Sequence, residues 1–94
     1  MKALLDMQKK MQELKRQLEN TVFDVSSSDG SVILKMNGAQ EVSQVSISRE
    51  LSEIDKASLE KSLKDAYNRA VKRSQEIAAQ KMKETSGLNL PGLF

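Results

Sequence analysis

The sequence predicts an α+β protein in which a helix, a three-stranded antiparallel β-meander and a long second helix follow one another (α-β-β-β-α). Apolar residues recur with helical spacing over 1–20, with a period of two over 21–49, and with helical spacing again over 55–85. Of the 94 residues, 38% are hydrophobic and 3% aromatic, so one subunit can bury only a modest core. We therefore expect a homodimer with projecting helices, in which a second copy covers surface that one subunit exposes.

The first helix is predicted over 1–20 because its apolar residues are spaced alternately three and four apart, with good helix formers between them. This heptad seam lasts little over two repeats, which is too short for an isolated coiled coil. We expect it to pack on another helix of the same assembly. The seam consists of Leu4, Met7, Met11, Leu14 and Leu18.

The first strand and the turn after it follow directly from the change to a period of two. A run of Ser, Asp and Gly over 26–31 predicts a turn, and 31–36 is the second strand. The residues of the first strand that alternate with more polar neighbours are Thr21, Phe23 and Val25.

The second and third strands are predicted to form a hairpin. Asn37 and Gly38 favour a type I′ turn, because both residues tolerate a positive φ. The third strand breaks strict alternation, since its first two valines are three apart, and a bulge or a longer loop near Glu41 would account for this. That strand is marked by Val42, Val45 and Ile47.

The second helix is predicted over 55–85, a rod of roughly 45 Å that exceeds the length of a three-stranded sheet. Asp55 is its predicted N-cap, with Ser52 as the alternative. Gly87 is its predicted C-terminal stop, with Pro91 shortly beyond. Bulky apolar residues supply one stripe of the helix, namely Leu59, Leu63, Tyr67 and Ile77.

A ridge of small residues runs along the same helix at every fourth position, where it allows another element to approach closely. Two interpretations stay open for this ridge: it packs on the sheet or first helix of its own subunit, or it forms a contact between subunits. The ridge consists of Ala66, Ala70, Ser74 and Ala78.

Residue types that most enzymes need are absent from the sequence. With no His and no Cys, the commonest general base, the soft metal ligands and disulfides are missing. No glycine-rich phosphate loop or GxSxG elbow occurs. Glu50, Glu53 and Asp55 could in principle hold Mg²⁺, but we prefer to interpret them as solvated acids near the positive end of the second helix. We expect no enzyme activity, metal, cofactor or small-molecule substrate.

Charge interrupts the first residues at Asp6, too early for a signal peptide, and no apolar run approaches the roughly 20 residues that span a bilayer. We therefore expect a cytoplasmic protein with no membrane partner.

Positive charge is concentrated on the two helices. Residues 1–19 contain five Lys or Arg and three acidic residues, and residues 20–56 contain three Lys or Arg and six acidic residues. Residues 57–94 contain seven Lys or Arg and four acidic residues. An anionic partner would therefore meet the helices, although exposed Lys and Arg are commonly just solvated, and Asp65 and Arg69 form a favourable i,i+4 pair. The candidate anion contacts are Lys9, Lys10, Lys15, Arg16, Arg69, Lys72, Arg73, Lys81 and Lys83.

Taken in order, several stretches resemble the YbaB/EbfC family of bacterial nucleoid-associated proteins over nearly the whole chain. They are the Met/Gln/Lys-rich 7–13, the stretch 36–42 with Val45 and Ile47, Asp55-Lys56, Leu59, 66–70, Lys81-Met82 and 87–94. The resemblance implies a tweezer-like homodimer that binds double-stranded DNA through its terminal helices, alters DNA conformation, organises the nucleoid and regulates genes. Many relatives carry a short glycine-rich segment before the first helix, and this chain starts almost directly in the helix.

We accordingly expect one YbaB-like DNA-binding domain over 1–87 and an apolar tail over 88–94 that docks on a partner subunit or is disordered. Binding should depend on phosphates, with weak sequence specificity. The alternative is a small prefoldin-like chaperone or adaptor that holds a protein partner with its helices. The short first heptad seam and the charged end of the second helix, at Lys81, Lys83 and Glu84, disfavour it.

Overall fold

The computed structural model describes residues 2–86 and contains the predicted elements in the predicted order. The strands form one antiparallel sheet in the order β1-β2-β3, which confirms the α-β-β-β-α fold. The predicted helix stop at Gly87, Pro91 and the 88–94 tail lie outside the described residues. The elements are α1 (Lys2–Asn20), β1 (Val22–Ser26), β2 (Val32–Asn37), β3 (Val42–Ile47), a short 3₁₀ turn (Leu51–Glu53) and α2 (Lys56–Ser86).

The start of α2 is fixed by the cap that the sequence predicts. Asp55 Oδ1 accepts a hydrogen bond from the backbone N–H of Ser58 at 2.7 Å, and Oδ2 accepts one from the Ser58 hydroxyl at 2.8 Å. These bonds satisfy a free donor of the first turn and hold the pKa of Asp55 below its usual range. Ser52, the alternative cap, lies in the 3₁₀ turn instead.

The core lies between the central strand and α2. Val32, Leu34 and Met36 point from β2 toward α2 and are almost completely buried. Ala66 and Ala70 are fully buried against them, because side chains this small let the helix backbone approach the sheet closely. The first of the two interpretations of the small-residue ridge is therefore correct for these two alanines, which pack on the sheet of their own chain.

The ridge continues toward the C-terminal half of α2 and ties the helix to the β2–β3 turn. Ser74 is fully buried, and its hydroxyl donates a hydrogen bond to the Asn37 carbonyl at 3.1 Å. Ala78 is half-buried. The ridge thus packs within its own chain up to Ser74.

Helix α1 packs against α2, but its heptad seam is covered at one end only. Leu14 is buried and Leu18 half-buried, whereas Leu4, Met7 and Met11 are 52–59% exposed. The expectation that the whole seam packs on another helix is therefore not met within one chain. The N-terminal turns of α1 carry exposed apolar side chains.

The prediction of a type I′ turn at Asn37-Gly38 is wrong. The loop contains three residues, Gly38, Ala39 and Gln40: the Gln40 N–H donates to the Asn37 carbonyl at 3.1 Å, and the Asn37 N–H donates to the Glu41 carbonyl at 3.1 Å. The left-handed residue is Gln40, with φ of 64°, as in a three-residue hairpin loop.

Gly38 is needed for close approach and not for a positive φ. Its N–H donates to the carbonyls of Leu18 (2.9 Å) and Thr21 (3.0 Å), where α1 ends. A Cβ at this position would lie 3.0 Å from Leu18 Cδ2 and 3.1 Å from the Leu18 carbonyl oxygen. The glycine therefore lets the end of α1 rest directly on the hairpin.

The irregularity expected in the third strand is a β-bulge. Met36 pairs with Val42 and Lys35 pairs with Gln44, so Ser43 is the extra residue. The bulge returns the next apolar residues to the inner face of the sheet, and Leu34 pairs with Val45 as a result. All three apolar residues of β3 therefore share the face on which α2 lies.

A serine–aspartate cluster joins the β1–β2 turn to α2. Asp29 accepts hydrogen bonds from the Ser27 hydroxyl (2.7 Å), the Ser31 N–H (3.1 Å) and hydroxyl (2.8 Å), and the Ser62 hydroxyl of α2 (2.9 Å). These donors, the Ser27 hydroxyl first, hold the pKa of Asp29 well below its usual range. Gly30 supplies the left-handed residue of the turn, with φ of 77°.

We expect Ala70→Leu to lower the free energy of unfolding by about 1–3 kcal/mol, because it overpacks the contact between α2 and β2. Ala57→Leu makes the same change at an exposed position of the same helix and should alter stability little. Urea denaturation of both variants measures the difference. Equal stability of Ala70→Leu and the wild type would contradict the packing.

We expect Asp29→Asn to destabilise the protein at pH 7 and the difference from wild type to shrink as the pH falls. A carboxyl whose pKa is depressed on folding stabilises fully above its unfolded pKa of about 4 and loses that stabilisation as the pH falls toward its folded pKa. Urea denaturation at pH 7, 5 and 3 measures the trend. Asp24→Asn is the control, since the Asp24 carboxylate makes no hydrogen bond within residues 2–86. A difference of equal size at all three pH values would show that ionisation of Asp29 does not hold the turn.

Candidate nucleic-acid interface

Helix α2 lies mainly over β2 and β1, and the flank that faces β1 carries three of the candidate cations. Arg69, Lys72 and Arg73 fall within about one turn on this flank, and all three are exposed. Between them and the edge strand lies a shallow groove of about 480 Å³, which we call the β1 groove. It is lined by Phe23, Asp24, Val25, Ser26, Arg69, Lys72, Arg73 and Glu76.

Asp65 positions the first of these cations. Its Oδ2 accepts a hydrogen bond from the Ser28 N–H at 2.8 Å, and its Oδ1 accepts one from Arg69 Nε at 3.1 Å. The Ser28 N–H contributes most to holding the pKa of Asp65 below its usual range, and Arg69 contributes less. The i,i+4 pair expected from the sequence is confirmed, and the same carboxylate ties the β1–β2 turn to α2.

The other two cations of the β1 groove are held more loosely. Arg73 Nη1 lies 3.5 Å from Glu76 Oε2, with both side chains more than half exposed. Lys72 makes no ion pair or hydrogen bond within residues 2–86. An arginine has five N–H donors, so each paired guanidinium keeps donors for an incoming oxyanion such as a phosphate.

The candidate cations of α1 are all exposed. Glu13 accepts hydrogen bonds from Arg16 and from Gln17. The Arg16 bond holds the pKa of Glu13 below its usual range, and the same contact raises the pKa of Arg16. Lys9, Lys10 and Lys15 make no ion pair within the part of the chain that the structure describes.

The structure does not gather the candidate cations into one site. Arg69, Lys72 and Arg73 share the β1 groove, none of whose lining residues within 2–86 comes from α1. Lys81 is half-buried and Lys83 exposed near the end of α2. The cations therefore form a central group on α2 and a dispersed set along the two helices. This arrangement is better suited to contact with a long polyanion than to binding of a small anion.

An exposed apolar surface on the opposite flank of α2 escaped the sequence reasoning. We call it the β3–α2 face. Leu63 and Tyr67 had been assigned to the stripe of apolar bulk, but they are 44% and 48% exposed. The missed signal is geometric: a helix about 10 Å wide covers only about two strands spaced roughly 4.8 Å apart. The β3–α2 face consists of Val42, Val45, Ile47, Leu63 and Tyr67.

The candidate Mg²⁺ ligands do not form a metal site in this structure. Asp55 is engaged as the cap of α2. Among residues 2–86, no three or more acidic side chains are arranged to hold a metal ion. Neither of the helices, within the same residues, is apolar enough over its length to cross a membrane.

Comparison with known proteins supports the sequence resemblance. A nucleoid-associated protein of Legionella pneumophila is 37% identical over 92 residues, covering 97% of this chain and 82% of its own. A nucleoid-associated protein of Clostridium novyi is 35% identical over 96 residues, covering all of this chain and 84% of its own. The crystal structure of an uncharacterized protein from Helicobacter pylori superposes with a TM-score of 0.74 at 28% identity, over 87% of this chain and 88% of that one.

The chain has a β-meander flanked by two helices with exposed cations, and its relatives are nucleoid-associated proteins. Together these findings define the class as a nucleoid-associated DNA-binding protein. The chain belongs to the YbaB/EbfC DNA-binding family, whose model matches residues 1–88. This is a family of DNA-binding proteins and not of enzymes.

Proposed function

We propose that the chain binds double-stranded DNA as a homodimer, mainly through phosphate contacts, and thereby alters DNA conformation and gene expression in the bacterial nucleoid. The exposed cationic flank of α2, in a chain that belongs to a DNA-binding family, is the observation that carries the proposal. The chain acts without catalysis, cofactor or small-molecule substrate.

Contact with the phosphate backbone is favoured over base reading by the residues at hand. The cations belong to long, exposed side chains on two helices, and such side chains bind phosphate without fixing a sequence. The chain has only 3% aromatic residues, so it has little with which to stack on bases or wedge between them. Binding then depends on charge and on the shape of the duplex.

The net charge of the β1 groove is small, since Asp24 and Glu76 offset two of its three cations. One groove would therefore hold DNA weakly. Two grooves in a dimer, supplemented by the cations of α1 and the end of α2, would bind a duplex more firmly because the second contact is made at high effective concentration. Self-association thus belongs to the proposed mechanism.

A protein-holding role is the second candidate. The exposed Leu4, Leu5, Met7 and Met11 of α1 favour it, since apolar helix surface is what a chaperone offers a client. An aggregation-suppression assay run beside the DNA assays separates the two roles. If the protein suppressed aggregation but did not bind duplex DNA, the protein-holding role would replace the proposed function.

We expect the double variant R69E/R73E to bind a duplex at least tenfold more weakly, because two phosphate contacts become repulsive. R49E/K56E makes the same change in net charge at exposed residues away from the β1 groove and should bind nearly as the wild type does. Electrophoretic mobility shift measures the affinities, and circular dichroism checks that both variants are folded. If the two folded variants bind alike, Arg69 and Arg73 are merely solvated.

We expect the affinity to fall steeply with salt. At a slope of about −0.9 per phosphate neutralised, roughly four to eight contacts give a slope of about −4 to −7 for log affinity against log salt. Unrelated duplexes of equal length, including one A-tract, should compete within about tenfold of one another. Fluorescence anisotropy over a salt series measures both. A nearly flat slope would contradict phosphate binding, and a thousandfold sequence preference would indicate a base-reading surface.

A further inference from the structure

The heptad seam of α1 is uncovered at the N-terminal end of the helix. Leu14 is buried and Leu18 half-buried, whereas Leu4, Met7 and Met11 are 52–59% exposed. Residues three and four apart are neighbours on a helix surface, so these three side chains form one apolar patch, which we call the exposed seam. Exposed patches of this kind mark interaction sites.

Helix α1 packs along the C-terminal half of α2. Its last turn lies near Ser74, whose hydroxyl donates to the Asn37 carbonyl at 3.1 Å. The next residue, Gly38, donates to the Leu18 carbonyl at 2.9 Å. Strand β2 ends at Asn37, yet Ile77, farther along α2, is only 9% exposed. Of the elements that pack on α2 in the described part of the chain, α1 is the one left to cover it. Helix α1 therefore runs antiparallel to α2 beyond Ser74.

The exposed seam lies level with the last described turns of α2 and with the residues that follow them. Both helices rise about 1.5 Å per residue. Counting from Leu18 beside Ser74 places Met11 level with Lys81, and Leu4 beyond Ser86, where the described part of α2 ends. The first turn of α1 thus lies beside the start of the segment that follows α2.

That segment has the composition of a partner for the exposed seam. Residues 88–94 carry no charge, in a chain of which 30% of residues are charged. Gly87, the predicted helix stop, allows the chain to reverse its direction. An extended chain advances about 3.3 Å per residue, so about four residues reach back over the roughly 10 Å from the level of Leu4 to that of Met11. The apolar residues of the segment are Leu88, Leu90, Leu93 and Phe94.

Tethering favours this segment over any other occupant of the exposed seam. Because it follows α2 directly, its contact with α1 is intramolecular and is made at an effective concentration of roughly millimolar. A separate protein at micromolar concentration competes poorly with such a tether. Burying an uncharged apolar segment also releases its surface from water without desolvating a side-chain charge.

We propose that the exposed seam of α1 is the docking surface for residues 88–94 of the same chain, which fold back from the end of α2 and cover it. The contact ties the N-terminal turns of α1 to the end of α2 and so holds the cations of the two helices, such as Lys9 and Lys83, in a fixed relation. It also occupies the apolar surface that a protein-holding role requires, so the two uses of this surface exclude each other.

The covering of the exposed seam is tested by methionine oxidation. Hydrogen peroxide converts accessible methionines to the sulfoxide, and peptide mass spectrometry gives the rate at each position. We expect Met7 and Met11 to react about threefold faster, or more, in the double variant L90S/L93S than in the wild type, because the sulfur atoms lose their cover. Met36, fully buried in the core, is the internal control and should react equally in both proteins. Unchanged rates at Met7 and Met11 would overturn the proposal.

The position of the segment is tested with pairs of introduced cysteines, and this test decides even if the serine substitutions loosen the core. The chain has no cysteine of its own, and a disulfide needs Cα atoms about 4.4–6.8 Å apart. Leu90→Cys is combined with Met7→Cys or with Met11→Cys. The control combines it with Lys9→Cys, since Lys9 lies on the side of α1 opposite to the exposed seam at about 100° per residue. We expect a seam pair to form an intrachain disulfide roughly tenfold faster than the control pair, because docking holds its thiols together.

Non-reducing electrophoresis distinguishes the possible occupants, because it separates a disulfide within one chain from one between two chains. A product that joins two chains, formed in place of the intrachain disulfide, would show that the segment docks on another copy and would contradict the proposal. Equal rates for the seam and control pairs would contradict it as well, since the segment is then not held on the seam. Neither test involves DNA, so the proposed function stands or falls separately.

Discussion

The close contact between α2 and the central strand governs the whole molecule. Ala66 and Ala70 bring the helix down onto Val32, Leu34 and Met36, and a helix this close can cover little more than two strands. It covers β2 and β1. One flank is therefore bordered by polar and cationic side chains at the edge of β1, and the other leaves the apolar residues of β3 uncovered.

A second junction fixes the helices relative to the sheet. The end of α1, the β2–β3 turn and the middle of α2 meet where Gly38 donates to Leu18 and Ser74 donates to Asn37. Both of these donors bond to backbone carbonyls, and the glycine leaves no side chain to separate the elements. Helix α1 is anchored at this end, whereas Leu4 and Met7 in its N-terminal turns are exposed.

The carboxylates of this protein serve to place other groups. Asp55 caps α2, Asp29 gathers three serines, and Asp65 holds both a turn and Arg69. Several of these contacts connect elements that are distant in the sequence, such as the turn at 27–31 with α2. In a chain with a modest apolar core, such polar ties define how the helix sits on the sheet, and hence where the cations of the β1 groove point.

The sequence by itself determined the order of elements, an irregularity in β3 and the cationic character of the helices, because each depends on local periodicity or on the chemistry of neighbouring residues. It narrowed the cap of α2 to Asp55 or Ser52 and the irregularity to a bulge or a longer loop, and the structure decided for Asp55 and for the bulge. It did not determine the turn at 37–41, where Gln40 takes the left-handed conformation and Gly38 serves close packing against Leu18. Nor did it reveal that Leu63 and Tyr67 would be exposed while Ala66 and Ala70 are buried. Periodicity identifies which residues share a helix face, but only the tertiary structure decides how far one helix extends across a sheet and which apolar residues it leaves uncovered.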